Sequence, residues 1–131
     1  MKAILIDDSR VARRLIRGIL ERLGFQVIEA ENGRVGLTQL QRHPHPEVVL
    51  VDWNMPEMNG LEFVRAVRRD PVFRALPIVM VTTENEKERI ALAFLAGVNE
   101  FVMKPFDADA IELKLQLLGI EPPSCPEKSA F

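Results

Sequence analysis

No stretch of this 131-residue chain stays apolar for more than seven residues, the length of "IALAFLA" at 90–96. A membrane-crossing helix needs roughly 20, so the sequence offers no candidate span. The opening "MKAILIDDS" does not supply a signal peptide, because Asp7 and Asp8 interrupt its apolar run too early. Cysteine is almost missing: Cys125 stands alone and permits no internal disulfide. A reducing, cytoplasmic setting is the expectation. Charge of one sign is lacking as well. The formal net charge of −2 gives no general pull toward nucleic acid or an anionic membrane. Internal repeats and low-complexity tracts are absent, and the length suits a single domain. Only two histidines occur, His43 and His45 in the proline-broken "RHPHPE". They read as a solvated loop rather than a metal pair.

What is present is alternation. Apolar residues at 47% can fill one core, and charged residues at 27% can solvate its outside. Short β-rich runs fall at "KAILI" (2–6), "FQVIEA" (25–30), "EVVLV" (47–51), "PIVMV" (77–81) and "EFVM" (100–103). Most are rich in Val and Ile, as strands buried on both faces of a parallel sheet should be. Glu29 marks the second as an edge strand. Helical windows lie between them. In the first, Val11, Leu15, Ile19 and Leu23 recur at four-residue spacing behind Ser9 as N-cap. The second runs from about Gly33 to Arg42. The third, "LEFVRAVRR", turns Leu61, Phe63 or Val64, and Val67 inward. The fourth opens on Thr83 and Glu86 as a capping box and continues through Ile90, Ala93, Phe94 and Gly97. The fifth has Asp107 as its cap and Ile111, Leu115 and Leu118 as its inner face.

Regular strand–helix alternation predicts an α/β, doubly wound, five-stranded parallel sheet with helices on both faces. The domain is expected over residues 1–119, with 120–131 a proline-containing tail.

In such a sheet the site lies beyond the carboxyl ends of the strands. Asp7 and Asp8 follow strand one, Asp52 follows strand three, Thr82 strand four and Lys104 strand five. Each alone has a plain reading. An Asp after a strand commonly serves a turn, and the Asp7–Asp8 pair either caps the first helix or holds metal. Together, five polar residues at one sheet edge point to a site. Clustered carboxylates repel one another unless a cation offsets them. Oxygen ligands without His or Cys suit a hard ion such as Mg²⁺. Three carboxylates are balanced by one divalent ion and the Lys104 ammonium, and such a neutral site can accept a phosphoryl group on a carboxylate nucleophile.

"LIDDS", "VVLVDWNMPEMNGLEF", "PIVMVTTE" and "NEFVMKPF" resemble the receiver domain of two-component response regulators, especially the stand-alone chemotaxis (CheY) type. The resemblance covers residues 2 to about 118 and implies the flavodoxin-like strand order 2-1-3-4-5, for which the family serves as a standard example. It implies Asp52 as phosphoacceptor, and Mg²⁺ held by Asp8 with Asp7 in support, by Asp52 and by the backbone carbonyl of Asn54. Lys104 and Thr82 would contact the phosphoryl oxygens, and the Lys104–Pro105 bond would be cis. The donor implied is a phosphohistidine on a histidine kinase or phosphotransfer domain, CheA-like if the pathway is chemotaxis. Thr82 and Phe101 match the switch positions of the face made by helix four, strand five and helix five. Phe101 departs from the commoner tyrosine and has no hydroxyl to bond. Asn54 and Glu84 flank the expected path of the water that hydrolyses the aspartyl phosphate. The helix-one arginines read as a solvated face or as a docking surface for the phosphodonor. A monomer with no nucleic-acid or membrane partner is expected.

Rival readings make different demands on the same residues. A haloacid-dehalogenase-type phosphatase places its nucleophile before its acid pair and has a second Asp two residues on, where this chain has Asn54. A flavodoxin-like cofactor binder needs a Gly- or Ser/Thr-rich phosphate loop, where "DDSR" offers two negative charges. A receiver domain belonging to a longer regulator fits the same residues.

Overall fold

The structure, a computed structural model, describes residues 1–121. Strand and helix alternate: β1 (Lys2–Ile6), α1 (Arg10–Arg22), β2 (Gln26–Ala30), α2 (Gly33–Arg42), β3 (Val48–Val51) and α3 (Gly60–Arg68). A 3-10 turn (Pro71–Phe73) precedes β4 (Ile78–Thr82), α4 (Lys87–Ala96), β5 (Glu100–Met103) and α5 (Ala108–Leu117). The five strands are parallel in the order β2-β1-β3-β4-β5, the expected architecture. Every residue of β3 and β4 is buried, which is why those runs carry no polar alternation. β2 forms an edge, with Gln26 exposed and Glu29 half-buried.

The two-residue period of the strands divides the core into two layers. Ile4, Ile6, Val49, Val51, Ile78 and Met80 face α2, α3 and α4, against Leu40, Phe63, Val64, Val67 and Ala93. Ala3, Leu5, Val48, Leu50, Val79 and Val81 face α1 and α5, against Ile16, Ile19, Leu20, Ile111 and Leu115. Ile120, one residue past the expected domain end, is also buried there and donates its N–H to the Leu115 carbonyl at 2.9 Å. The rest of the expected tail, 122–131 with Cys125, lies outside the described residues.

Caps form as expected at Ser9, which accepts from the Ala12 N–H, and at Asp107, which accepts from Ala110. Two helix expectations fail. In α1 the buried face is Ile16, Ile19, Leu20 and Leu23, while Val11 is 78% and Leu15 57% exposed. Strict four-residue spacing drifts by ~40° per step around a helix of 3.6 residues per turn, so Val11 and Leu23 cannot share a face. The mixed three- and four-residue spacing of the observed set does stay on one side.

In α4 the Thr83–Glu86 capping box does not form. The helix begins only at Lys87, so its N-cap is Glu86, three residues after Thr83, and Glu86 makes no side-chain cap. Of the expected inner face only Ala93 is buried, and Phe94 is exposed. No helix among the described residues is long and apolar enough to cross a membrane.

Candidate functional site

The ladder of the parallel sheet runs one residue beyond its strands and carries the polar residues with it. Asp7 donates its N–H to Ala30, Asp52 to Ile6 and Lys104 to Thr82, at 3.1, 3.0 and 2.9 Å. Residues 97 apart in sequence are thereby set side by side: Lys104 Nζ lies 2.8 Å from Asp7 Oδ2 and 3.3 Å from Asp52 Oδ2. The Lys104–Pro105 peptide is cis, as the resemblance implied. Asp7 and Asp52 are buried, at 1% and 7% exposure, and Asp8 is exposed. One carboxylate oxygen from each of the three lies within 4.8 Å of the others.

Local bonds hold the acids in place. Asp7 Oδ1 accepts the Ser9 N–H at 2.9 Å, and Asp52 Oδ1 accepts the Asn54 N–H at 3.3 Å. Thr82 is fully buried at the end of β4, and its hydroxyl oxygen accepts the Glu84 N–H at 3.3 Å. Phe101 is half-buried beside the α4-facing core and borders an apolar groove of about 480 Å³ with Met103, Phe106 and Leu113. His43 lies at the opposite end of the sheet, its Nδ1 3.4 Å from Lys2 Nζ.

Three residues that motif reading passes over belong to this region. Arg13 was expected on a solvated or docking face. Instead it is mostly buried and donates from Nη1 to the backbone carbonyl of Asp7 and from Nε to Glu29 at 3.1 Å. It anchors the acid loop to β2. Gly60 packs its Cα side against the Asp52 carbonyl, so closely that a Cβ there would lie 2.3 Å from that oxygen. Arg89, on α4, borders the same cleft as Asp8 and Asn54. No periodicity marks any of these, and Gly60 sits inside a quoted motif that gives it no role, because each acts through an approach that exists only in three dimensions.

Burial pushes the Asp7 carboxyl above its usual range, against hydrogen bonds from Lys104 and Ser9, and the charge of Asp52 adds to the rise. For Lys104 burial works downward, but the hydrogen bond to Asp7 and the charges of Asp52 and Asp7 outweigh it and hold the ammonium above its ordinary value. The folded state therefore binds a proton at Asp7 more tightly than the unfolded chain does. Between the ordinary value of 3.8 and the raised folded value, stability gained at Asp7 increases as pH falls. In EDTA, Asp7→Asn is expected to flatten that acid-side gain in a chemical-denaturation series against pH. A variant curve parallel to wild type would show that Asp7 is not the group responsible. The Lys104 contribution is complete below 10.5 and is lost only as pH rises through its higher folded value.

The donor set fits a hard divalent cation. It offers carboxylate oxygens and no nitrogen or sulfur, and one ammonium leaves two of three negative charges unbalanced.

The response regulator receiver domain model matches residues 3–116. The chain is 43% identical over 119 residues to chemotaxis protein CheY1 of Helicobacter pylori, covering 90% of this chain and 96% of that protein. It is 44% identical over 117 residues to a chemotaxis protein CheY homologue of Campylobacter jejuni, covering 88% and 90% respectively. Among solved structures, chemotaxis protein CheY4 of Vibrio cholerae superposes with a TM-score of 0.84 at 33% identity, covering 89% of this chain and 97% of that one.

Proposed function

The chain belongs to the response regulator receiver domain family, and from that premise we propose that it is a phosphorylation-operated switch with Asp52 as acceptor. One observation carries the reading: a buried carboxylate at a strand end shares a single ammonium with a second buried carboxylate, beside a third that is open to solvent. Mg²⁺ would be held by Asp7, Asp8, Asp52 and the Asn54 carbonyl, and when bound it offsets charge on the phosphoryl oxygens. The other steps belong to the chain. An Asp52 carboxylate oxygen attacks the phosphorus of a phosphohistidine. The new O–P bond forms as the P–N bond breaks, and the electron pair returns to the imidazole of the donor. Lys104, no longer shared by two carboxylates, turns to the phosphoryl oxygens, and the Thr82 hydroxyl donates to another.

The Thr82 movement is transmitted through β4 to β5, where Met80 is registered with Phe101 and Thr82 with Met103. Phosphorylation shifts the populations of two forms of the α4–β5–α5 face, by its differential affinity for them. The partners are a histidine kinase, CheA-like in a chemotaxis pathway, and a target protein that reads this face. The protein works in the cytoplasm as a monomer and turns over no outside substrate beyond its own aspartyl phosphate. Asn54 and Glu84 set the lifetime of that phosphate by orienting the hydrolytic water.

Trp53 is buried next to Asp52 and provides the test. Its fluorescence is expected to change with Mg²⁺ and again on addition of acetyl phosphate, with a gain of one phosphoryl group in the intact mass. Asn54→Ala and Glu84→Ala should alter the decay of that mass. A metal-dependent signal without any phosphoryl gain would leave an interaction module that does not signal by phosphorylation.

A further inference from the structure

Arg89 offers a cation where the phosphoacceptor reading requires none. Its Nη1 donates to Glu84 Oε2 at 2.9 Å, and its Nε lies 3.5 Å from Glu86 Oε2. Glu84 is firmly seated: its side chain is mostly buried, and its other oxygen accepts the Glu86 N–H at 3.1 Å. Arg89 is half exposed. Arg89 lines an open cleft of about 590 Å³ together with Asp8, Trp53, Asn54, Met55 and Asn59. Among the residues lining that cleft Arg89 is the one cation and Asp8 the one carboxylate. Lys104 faces Asp7 and Asp52 instead.

A donor that approaches this site is an anion moving toward three carboxylates, which repel it. A guanidinium is a planar fork of donors that matches phosphoryl oxygens two at a time. Glu84 engages Nη1 and Glu86 lies at Nε, so release from Glu84 opens the Nη1–Nη2 edge of the Arg89 fork. Arg89 is half exposed, so solvent screens its pair with Glu84, and Glu84 keeps the Glu86 N–H when the guanidinium leaves.

We propose that Arg89 recognises the anionic phosphoryl group of the incoming phosphodonor at the mouth of the site, leaving Glu84 to do so. The proposal rests on Asp52 as phosphoacceptor. Arg89 acts on capture of the donor, before the reaction at Asp52, and Glu84 competes with the donor for it.

The test follows the second-order rate constant for phosphorylation by acetyl phosphate in saturating Mg²⁺, from the Trp53 signal, at a series of ionic strengths. At low salt Arg89→Gln is expected to lower the constant by roughly five- to tenfold, the effect of losing one charge-assisted contact. Arg89→Lys should recover most of the loss, and added salt should close the gap. Glu84→Gln should raise the constant more in the wild-type background than beside Arg89→Gln, where only the lost repulsion remains, a coupling that a double-mutant cycle reads directly. Mg²⁺ titration of Trp53 should be the same in all variants. An Arg89→Gln constant equal to wild type at low salt would overturn the proposal. So would a loss insensitive to salt and not rescued by lysine, which would make Arg89 a structural residue of α4. Wild-type protein that gains no phosphoryl group would overturn the Asp52 reading instead.

Discussion

Asp52→Asn is expected to abolish phosphoryl gain entirely and, in EDTA, to make the protein more stable than wild type. The first effect follows from chemistry: an amide oxygen is not a nucleophile at neutral pH, and no other carboxylate beside the Lys104 ammonium has the same setting. Asp7 shares that ammonium but is almost fully buried, and Asp8 is solvent-facing. The second effect follows from charge. Three carboxylates whose oxygens lie within 4.8 Å share one ammonium, so the cluster carries a net −2, and the amide reduces it to −1. Lys104 keeps its shorter bond, the 2.8 Å contact with Asp7. Relief of like-charge repulsion at such distances is worth about 1–2 kcal/mol after solvent screening. Mg²⁺ should reverse the order, because a ligand that binds only the folded state stabilises in proportion to its affinity, and the variant binds it less tightly. Thermal melts of both proteins in EDTA and in Mg²⁺, with intact mass after acetyl phosphate, measure all three effects. A variant less stable than wild type in EDTA would mean that the Lys104–Asp52 pair outweighs the repulsion.

The other large effect is expected at a residue with no side chain. Gly60 opens α3, where alanine would ordinarily favour the helix by up to about 1 kcal/mol. Here its Cβ would meet the Asp52 carbonyl oxygen at 2.3 Å and the Trp53 Cα at 2.9 Å, both backbone atoms that cannot rotate away. The Gly60 N–H is also bonded to the Trp53 carbonyl at 2.9 Å, so the approach is part of how the helix joins the strand. Gly60→Ala must therefore push the β3–α3 connection outward, at a cost of about 2–3 kcal/mol. The same shift displaces Asp52 and Asn54, so Mg²⁺ affinity read from Trp53 should fall with stability. Gly18→Ala is the control. It sits inside α1 with nothing within 4 Å of the added carbon, and should gain roughly 0.5–1 kcal/mol. Equal effects at the two glycines would remove close approach as the explanation.

The two positions also show what a linear reading can reach. Asp52 was legible because parallel strands end at one sheet edge, so a polar residue after an apolar run acquires a place as soon as the run is recognised. The same logic located Asp7, Asp8, Thr82 and Lys104, and the strands themselves stood out because burial on both faces leaves no room for polar residues. Gly60 was not legible, since nothing in "MNGLEF" says that the backbone of residue 52 passes within contact distance. Arg13 read as one of the helix-one surface charges and Arg89 drew no reading, because what each meets depends on what its helix is packed beside. The errors in α1 and α4 have a common origin. In both helices exposed apolar residues, Val11 and Leu15 in α1 and Phe94 in α4, mimic a core stripe.

The slight burial of α4 bears on how an output could be produced from one phosphoryl group. α4 begins without a side-chain cap, buries only Ala93 and leaves Leu95 84% exposed. A helix fastened by a full apolar face would take many kcal/mol to shift, more than a few new hydrogen bonds at Asp52 can deliver. With one buried residue, α4 is expected to have mechanical slack. On the proposed phosphorylation reading, small differences in energy then decide its position, and the signal need not overcome the core in order to be read at the surface.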